Sequence, residues 1–187
     1  MSLCLVVEGR SFVYYKNENV QKKEVAVVRR RDTGTLYFAY GSCMDDVRLR
    51  EHGVNHLFQD VVGRGVLRGY RLAFTRQTGD CAYADIVPDP RSIVEGKVYR
   101  LTSEAVDYLD EREGRGKAYD RVWLEVDVNG TPMPSVLSYT VVQKSEAELP
   151  PPKWYALEIL RGAEGTVSAR YLEALQKKFR QEFKLDV

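Results

Sequence analysis

The chain has 187 residues, of which 44% are hydrophobic and 29% charged, a composition typical of one globular domain with a buried core. Its 28 basic and 27 acidic side chains nearly cancel, so no strong net field is available to hold a nucleic acid or a membrane surface. No stretch approaches the roughly 20 apolar residues that a membrane span requires. We therefore expect a soluble, cytoplasmic protein that has neither a nucleic acid nor a membrane as its partner.

The cysteines and histidines give no metal or disulfide signal. The cysteines, Cys4, Cys43 and Cys81, are odd in number and show no C-x-x-C spacing. His52 and His56 lie four residues apart, as the ligands of zinc proteases do, but the glutamate that would act as the base in that motif is missing. We expect reduced thiols and no metal site.

The first 35 residues differ from the rest of the chain. Two β-rich runs, residues 11–15 and 24–28, flank a turn-forming segment that contains Asn17 and Asn19. The polar residues 29–34 that follow form a loop or a linker. This pattern predicts an N-terminal hairpin extension over residues 1–35 and a main domain over residues 36–187.

The main domain opens on a short aromatic run, residues 36–40, which is typical of a buried strand and stops at Gly41 and Ser42. Residues 44–51 favour a helix that Ser42 can cap. A helix start leaves backbone N–H groups unpaired, and a glycine lets the backbone approach a ligand closely. The segment is therefore either a cradle for a small anion or an ordinary capped turn.

Further strands are predicted over residues 61–76, 83–87 and 96–101, with a turn at residues 88–90 between the last two. Residues 119–128 and 133–142 are joined by Asn129-Gly130, a strong hairpin signal. Two amphipathic helices, residues 154–163 and 168–183, end the chain. Because strands and helices do not alternate regularly, the fold class is α+β, with an antiparallel or mixed sheet.

One acidic residue lies where a helix should be buried. Thr102 or Ser103 caps a helix whose apolar stripe ends at Leu109, and the helical spacing places Glu113 on the same face. A carboxylate there is costly unless it has a partner, so it can serve in proton exchange. The alternative is a helix that frays before Glu113, leaving the side chain solvated. We expect Asp110 and Glu111 to be solvated.

Three segments together resemble the gamma-glutamyl cyclotransferase-like family. They are YFAYGS (37–42), EGKVYRL (95–101) and LDEREG (109–114), and their order and spacing both fit. The similarity continues through Tyr119, Ser138 and Tyr139 and through residues 151–175, so that it covers residues 36–175. Each motif is short, but the combination is specific.

The resemblance implies a small mixed or antiparallel β-barrel with flanking helices and a cavity at one end. It also implies a cofactor-free reaction of the acyltransferase or lyase type, connected with glutathione metabolism. In this reaction the α-amine of a gamma-glutamyl compound attacks its own side-chain carbonyl and releases 5-oxoproline. Glu113 resembles the family's acid/base.

Substrate contacts are expected from the backbone of Gly41, Ser42 and Cys43 and from Tyr40, Tyr119 and Tyr139, although each tyrosine is also an ordinary strand residue.

Cys43 departs from the family pattern, because many members have an asparagine at this position. Its place at a predicted helix start suggests a second reading, in which Cys43 is the nucleophile of an acyl transfer. A third reading is a silent module that binds a small carboxylate. We expect the loop containing Cys43 to shift substrate preference within the family.

Overall fold

The computed structural model describes residues 34–187 in full and, before them, the backbone of two strands. The chain divides into two compact units, Met1–Thr33 and Gly34–Val187. In the first unit, strand β1 (Leu3–Val7) pairs antiparallel with strand β2 (Arg10–Tyr14). The hairpin predicted from the sequence pairs residues 11–15 with residues 24–28, and the latter lie outside the described residues.

The second unit is a closed barrel of five strands in the order β3-β5-β4-β6-β7. Neighbouring strands are antiparallel except at the closure, where β3 and β7 run parallel. The expected α+β class with a mixed barrel is thus confirmed. The strands are β3 (Thr35–Ala39), β4 (Val61–Thr78), β5 (Cys81–Leu101), β6 (Tyr119–Val128) and β7 (Thr131–Val141).

The barrel is flanked by helices and short turns of helix. Within the described part of the chain, no helix is both long and apolar enough to cross a membrane. The α-helices are α1 (Asp46–Glu51), α2 (Ser103–Glu113), α3 (Lys153–Ala163) and α4 (Ala169–Lys177), with 3-10 turns at Ser42–Met44 and Asn55–Phe58 and a π-turn at Lys178–Glu182.

The hairpin between β6 and β7 forms as predicted. Asn129 and Gly130 both have positive φ angles, 51° and 89°, which is the backbone geometry of a two-residue hairpin turn. The two strands pair antiparallel from Tyr119 opposite Val141 to Val128 opposite Thr131. The local turn chemistry therefore decides the pairing of these strands.

The turn predicted at residues 88–90 is wrong, because β5 runs without a break through both of its prolines. Pro88 lies opposite Tyr70 of β4, beside a register shift between Arg68 and Tyr70. Gly69, at this shift, has a φ of 78°. A proline is tolerated in a sheet at such a bulge, because the ladder is interrupted there and no N–H is needed.

The predicted helix boundaries are correct for α2 and too generous for two others. Ser42 does not cap α1, because the extended residue Asp45 separates the 3-10 turn from this helix. Asp45 is the N-cap instead, and its carboxylate accepts the N–H of Val47 at 3.1 Å. The last helix, predicted to reach residue 183, ends as an α-helix at Lys177. In α2, Thr102 is the N-cap and Glu113 the final residue.

Candidate active site

The segment after β3 is a turn that two other parts of the fold hold in place. The hydroxyl of Tyr99 donates to the Cys43 carbonyl at 3.0 Å, and the ammonium of Lys97 donates to the Met44 carbonyl at 2.7 Å. From the other side, Gly162 of α3 packs so close that a Cβ there would lie 2.6 Å from the nitrogen of Asp45. The shape of the turn is therefore fixed by β5 and α3, as well as by its own hydrogen bonds.

The turn presents unpaired backbone donors. Among residues 34–187, the N–H groups of Gly41, Ser42 and Cys43 donate to no backbone oxygen. The 3-10 turn begins at Ser42, so its first N–H groups have no partner within the turn, as is usual at the start of a helix. The expected donors are present, although the element behind them is a 3-10 turn and not the predicted α-helix.

Glu113 is brought to this turn by the end of α2. Gly114 follows it in the left-handed conformation (φ 59°) and ends the helix. The side chain of Glu113 is only 16% exposed, so the expectation that it lies on the inward face is correct. The fraying helix with a solvated Glu113 is not observed.

Arg112 joins the acid to the turn. Its Nη1 donates to a carboxylate oxygen of Glu113 and to the sulfur of Cys43, the latter at 2.9 Å, and its Nη2 lies 3.3 Å from Oγ of Ser42. A planar guanidinium can make such contacts at the same time, whereas an ammonium is a single point of charge. The carboxyl group of Glu113 thus has a positively charged neighbour inside the cavity.

Burial raises the pKa of the Cys43 thiol; Arg112 opposes this shift, and Glu113 adds to it. Burial also acts to lower the pKa of Arg112, but the neighbouring Cys43, Glu113 and Tyr37 raise it overall, so the guanidinium stays charged. A nucleophilic cysteine needs a lowered pKa. Among the described residues, no histidine lines the cavity. The reading of Cys43 as a nucleophile is therefore disfavoured.

Aromatic side chains form the cavity wall, and most of their hydroxyl groups are already used. Tyr40 donates to the Tyr139 carbonyl at 2.7 Å, Tyr119 donates to the Ala84 carbonyl at 2.9 Å, and Tyr139 donates to Asp110 at 2.7 Å. Burial raises the pKa of each of these three phenols. The tyrosines are neutral and give the cavity its shape.

The seven residues predicted from the sequence to be catalytic or substrate-binding all line this cavity: Tyr40, Gly41, Ser42, Cys43, Glu113, Tyr119 and Tyr139. Sequence reasoning missed Tyr37, Ala84, Arg112 and Tyr155, which also line it. Arg112 had a signal, because it directly precedes the acid in the LDEREG motif. Tyr155 had a weaker signal, since it follows the prolines in the segment that resembles the family.

The expectation for Asp110 is wrong. Its carboxylate accepts hydrogen bonds from Arg121 at 2.7 Å and 2.8 Å, from Arg115 at 3.0 Å and from the hydroxyl of Tyr139. Partial burial acts to raise its pKa, but these donors hold it below the ordinary value. Asp110 therefore anchors the cavity residue Tyr139.

Among the described residues, no group of three or more His, Cys, Asp or Glu side chains is arranged to hold a metal ion.

Fold and site together define a small α+β barrel protein with a cavity lined by a carboxylate, an arginine and a Gly-Ser turn. The chain belongs to the family described as gamma-glutamyl cyclotransferase, AIG2-like, whose match covers residues 37–156. That match includes Glu113 and every other residue that lines the cavity.

Known proteins similar to this chain agree with that assignment. A Bacillus subtilis (strain 168) protein described as "Putative gamma-glutamylcyclotransferase YkqA" is 40% identical over 156 residues, or 83% of this chain. Its crystal structure matches 80% of the chain with a TM-score of 0.75. The match spans only 56% of the Bacillus protein's length.

Two further solved structures show the same fold. An uncharacterized protein from Homo sapiens matches with a TM-score of 0.67 at 25% identity, covering 78% of this chain and 88% of its own. A structure described as a gamma-glutamyl cyclotransferase matches with a TM-score of 0.66 at 24% identity, covering 76% of this chain and 86% of its own.

Proposed function

We propose that this protein is a gamma-glutamyl cyclotransferase that cleaves a gamma-glutamyl amide or peptide without a cofactor. The α-amine of the substrate attacks its own side-chain carbonyl, and the products are 5-oxoproline and an amine or amino acid. The observation that carries the proposal is the convergence of Glu113, Arg112 and the unpaired N–H groups of the turn on one cavity. Membership of the family supports it.

Glu113 is assigned as the acid/base. The substrate ammonium must lose a proton before its nitrogen can attack, and in this proposal the carboxylate beside Arg112 accepts that proton. Over the reaction the attacking nitrogen gives up two protons and the departing nitrogen gains two. One carboxyl group that is regenerated at each transfer can carry both.

The turn and the cavity wall are assigned to positioning. The N–H groups of Gly41, Ser42 and Cys43 offer donors to a substrate oxygen that carries negative charge. The aromatic wall holds the glutamyl chain curled, so that the amine and the carbonyl meet within one molecule. Well-oriented intramolecular reactions gain on the order of several kcal/mol in this way.

The test is release of 5-oxoproline, measured by mass spectrometry, from a panel of gamma-glutamyl compounds. Glu113→Gln keeps the shape of the side chain but cannot exchange protons, so we expect kcat to fall by about 100- to 10,000-fold. Glu111→Gln is the matched control, because Glu111 is exposed on the same helix. Circular dichroism establishes that both variants are folded.

Three outcomes separate the alternatives. Wild-type kcat in Glu113→Gln removes the acid/base assignment. If Cys43→Ala abolishes turnover while Glu113→Gln does not, the thiol mechanism replaces it. A folded wild-type protein that binds the compounds but releases no 5-oxoproline is a binding module and not an enzyme.

A further inference from the structure

A group of side chains that the proposed reaction does not use packs against two residues of the cavity wall, Tyr119 and Tyr155. We call Arg76, Tyr83 and Trp154 the rim cluster. The ring of Tyr83 lies 5.0 Å from that of Tyr155, and the ring of Trp154 lies 5.7 Å from it, measured between centroids. Because Tyr155 lines the cavity, the rim cluster is in direct contact with the cavity wall.

Arg76 is held at this border by two aromatic rings. Its guanidinium carbon lies 5.4 Å from the ring centroid of Tyr83 and 5.5 Å from that of Tyr119, another cavity residue. Arg76 pairs with Tyr83 across β4 and β5, directly after a register shift that follows Phe74. A bulge of this kind re-aims the side chains beside it.

The guanidinium of Arg76 has no acidic partner among the described residues, whereas that of Arg112 faces Glu113. Contacts with ring faces leave the N–H edge of a guanidinium available. A carboxylate fits this planar edge, because it can accept two parallel hydrogen bonds from it. The border of the cavity therefore offers a site for a carboxylate that the protein does not itself fill.

Trp154 adds an apolar surface beside this cation. Its side chain is 55% exposed, although tryptophan is usually among the more buried residues. Its ring lies 6.3 Å from that of Tyr83, so the aromatic surface and the guanidinium share one neighbour. A ligand that matches the cluster carries a carboxylate next to an apolar group.

We infer that the rim cluster binds the leaving group of a gamma-glutamyl-α-amino acid, with Arg76 contacting its carboxylate and Trp154 contacting an apolar or aromatic side chain. The inference rests on the proposed function. In such a substrate the carboxylate is attached to the carbon next to the scissile nitrogen. When the glutamyl group occupies the cavity, this carboxylate lies just outside it, toward Tyr119 and Arg76.

Two compounds that differ in this carboxylate test the inference: gamma-glutamyl-phenylalanine and gamma-glutamyl-phenethylamine. For the wild-type protein we expect kcat/KM to favour the first by about 10- to 100-fold, the range of one hydrogen bond between charged groups. Arg76→Gln should bring the ratio close to one. The matched control is Arg68→Gln, an exposed arginine on the same strand, which should leave the ratio at its wild-type value.

The contact between Trp154 and the apolar side chain of the leaving group is tested by comparing gamma-glutamyl-phenylalanine with gamma-glutamyl-glycine. Trp154→Ala should reduce the preference for the phenylalanine compound over the glycine compound by about 5- to 10-fold, as expected when an aromatic contact is lost. Trp123→Ala is the control, since Trp123 is 54% exposed and does not line the cavity. An unchanged preference in Trp154→Ala contradicts the role of Trp154 in binding the apolar side chain.

The failure of the inference can be told apart from the failure of the proposed function. Equal turnover of the two phenyl compounds overturns the rim cluster and leaves the reaction standing. If neither compound is turned over, the proposed reaction fails, and calorimetric binding to the wild-type protein then decides about the rim cluster. Binding that needs the carboxylate and is lost in Arg76→Gln supports the cluster, and equal or absent binding overturns it.

Discussion

Replacing Arg112 tests whether the arginine positions the acid. Breaking a fully buried ion pair costs about 3–5 kcal/mol, and breaking an exposed one costs about 0–1 kcal/mol. The side chains of Arg112 and Glu113 are 19% and 16% exposed, so we expect Arg112→Gln to remove an interaction of about 2 kcal/mol. Where this interaction holds the acid in its reactive position, losing it raises the activation free energy by up to the same amount, which at 1.36 kcal/mol for each factor of ten is a kcat/KM lower by up to about 30-fold.

Arg112→Lys separates charge from geometry. The lysine keeps the positive charge but cannot contact Ser42, Cys43 and Glu113 together, so we expect an intermediate loss of about 5- to 10-fold. If Arg112 acts through Glu113, the loss appears in kcat with KM little changed. The double variant of Arg112→Gln with Glu113→Gln should then be no slower than Glu113→Gln alone.

Steady-state kinetics of 5-oxoproline release gives these values. Arg115→Gln is the control, because Arg115 is 49% exposed and its partners are Asp110 and Asp120 and not the acid. We expect it to stay within about twofold of the wild-type protein, as for other exposed ion pairs. A folded Arg112→Gln protein with wild-type kcat and KM refutes the positioning role.

Two further substitutions probe the supports of the cavity. Gly162→Ala places a methyl group against the backbone of Met44 and Asp45, so we expect a loss of about 1–3 kcal/mol in stability and a lower kcat/KM; an unchanged melting temperature contradicts this. The second substitution is at Asp110, whose pKa is lowered by its hydrogen-bond donors. Its ion pairs therefore stabilise the protein fully when the pH is above the ordinary pKa of an aspartate, and this stabilisation is lost as the pH falls through the lowered pKa. Asp110→Asn should therefore lower the free energy of unfolding at pH 7 by about 1 kcal/mol and have little effect in strong acid, measured by urea titration against Asp107→Asn.

Local sequence signals predict one hairpin of the barrel and both ends of the helix that carries the acid. The Asn129-Gly130 pair specifies its own turn, and the Thr102 cap and the glycine after Glu113 fix both ends of α2. These features depend on neighbours a few residues away. They are therefore readable from one sequence, and they are enough to bring Glu113 to the inward face.

The features that the sequence does not predict depend on distant partners. Pro88 stays in a strand because Gly69 of the neighbouring strand provides a bulge, and nothing near Pro88 indicates this. The role of Arg112 comes from its contact with Ser42, 70 residues away along the chain, and that of Asp110 from its contact with Tyr139, 29 residues away. Charge and spacing name candidates, but only the closed barrel decides which of them meet.

The parallel closure between β3 and β7 has a consequence for motion. Within residues 34–187 these two strands are in register through a single pair, Tyr37 opposite Leu137. Two side-chain bonds are added at this seam, from Ser138 to the carbonyl of Phe38 and from Tyr40, directly after β3, to the carbonyl of Tyr139. Segments with few backbone bonds open at the lowest free energy. Transient opening of the barrel should therefore begin at this seam, where Tyr37 forms part of the cavity wall, and amide hydrogen exchange should be faster there than along β4 and β5.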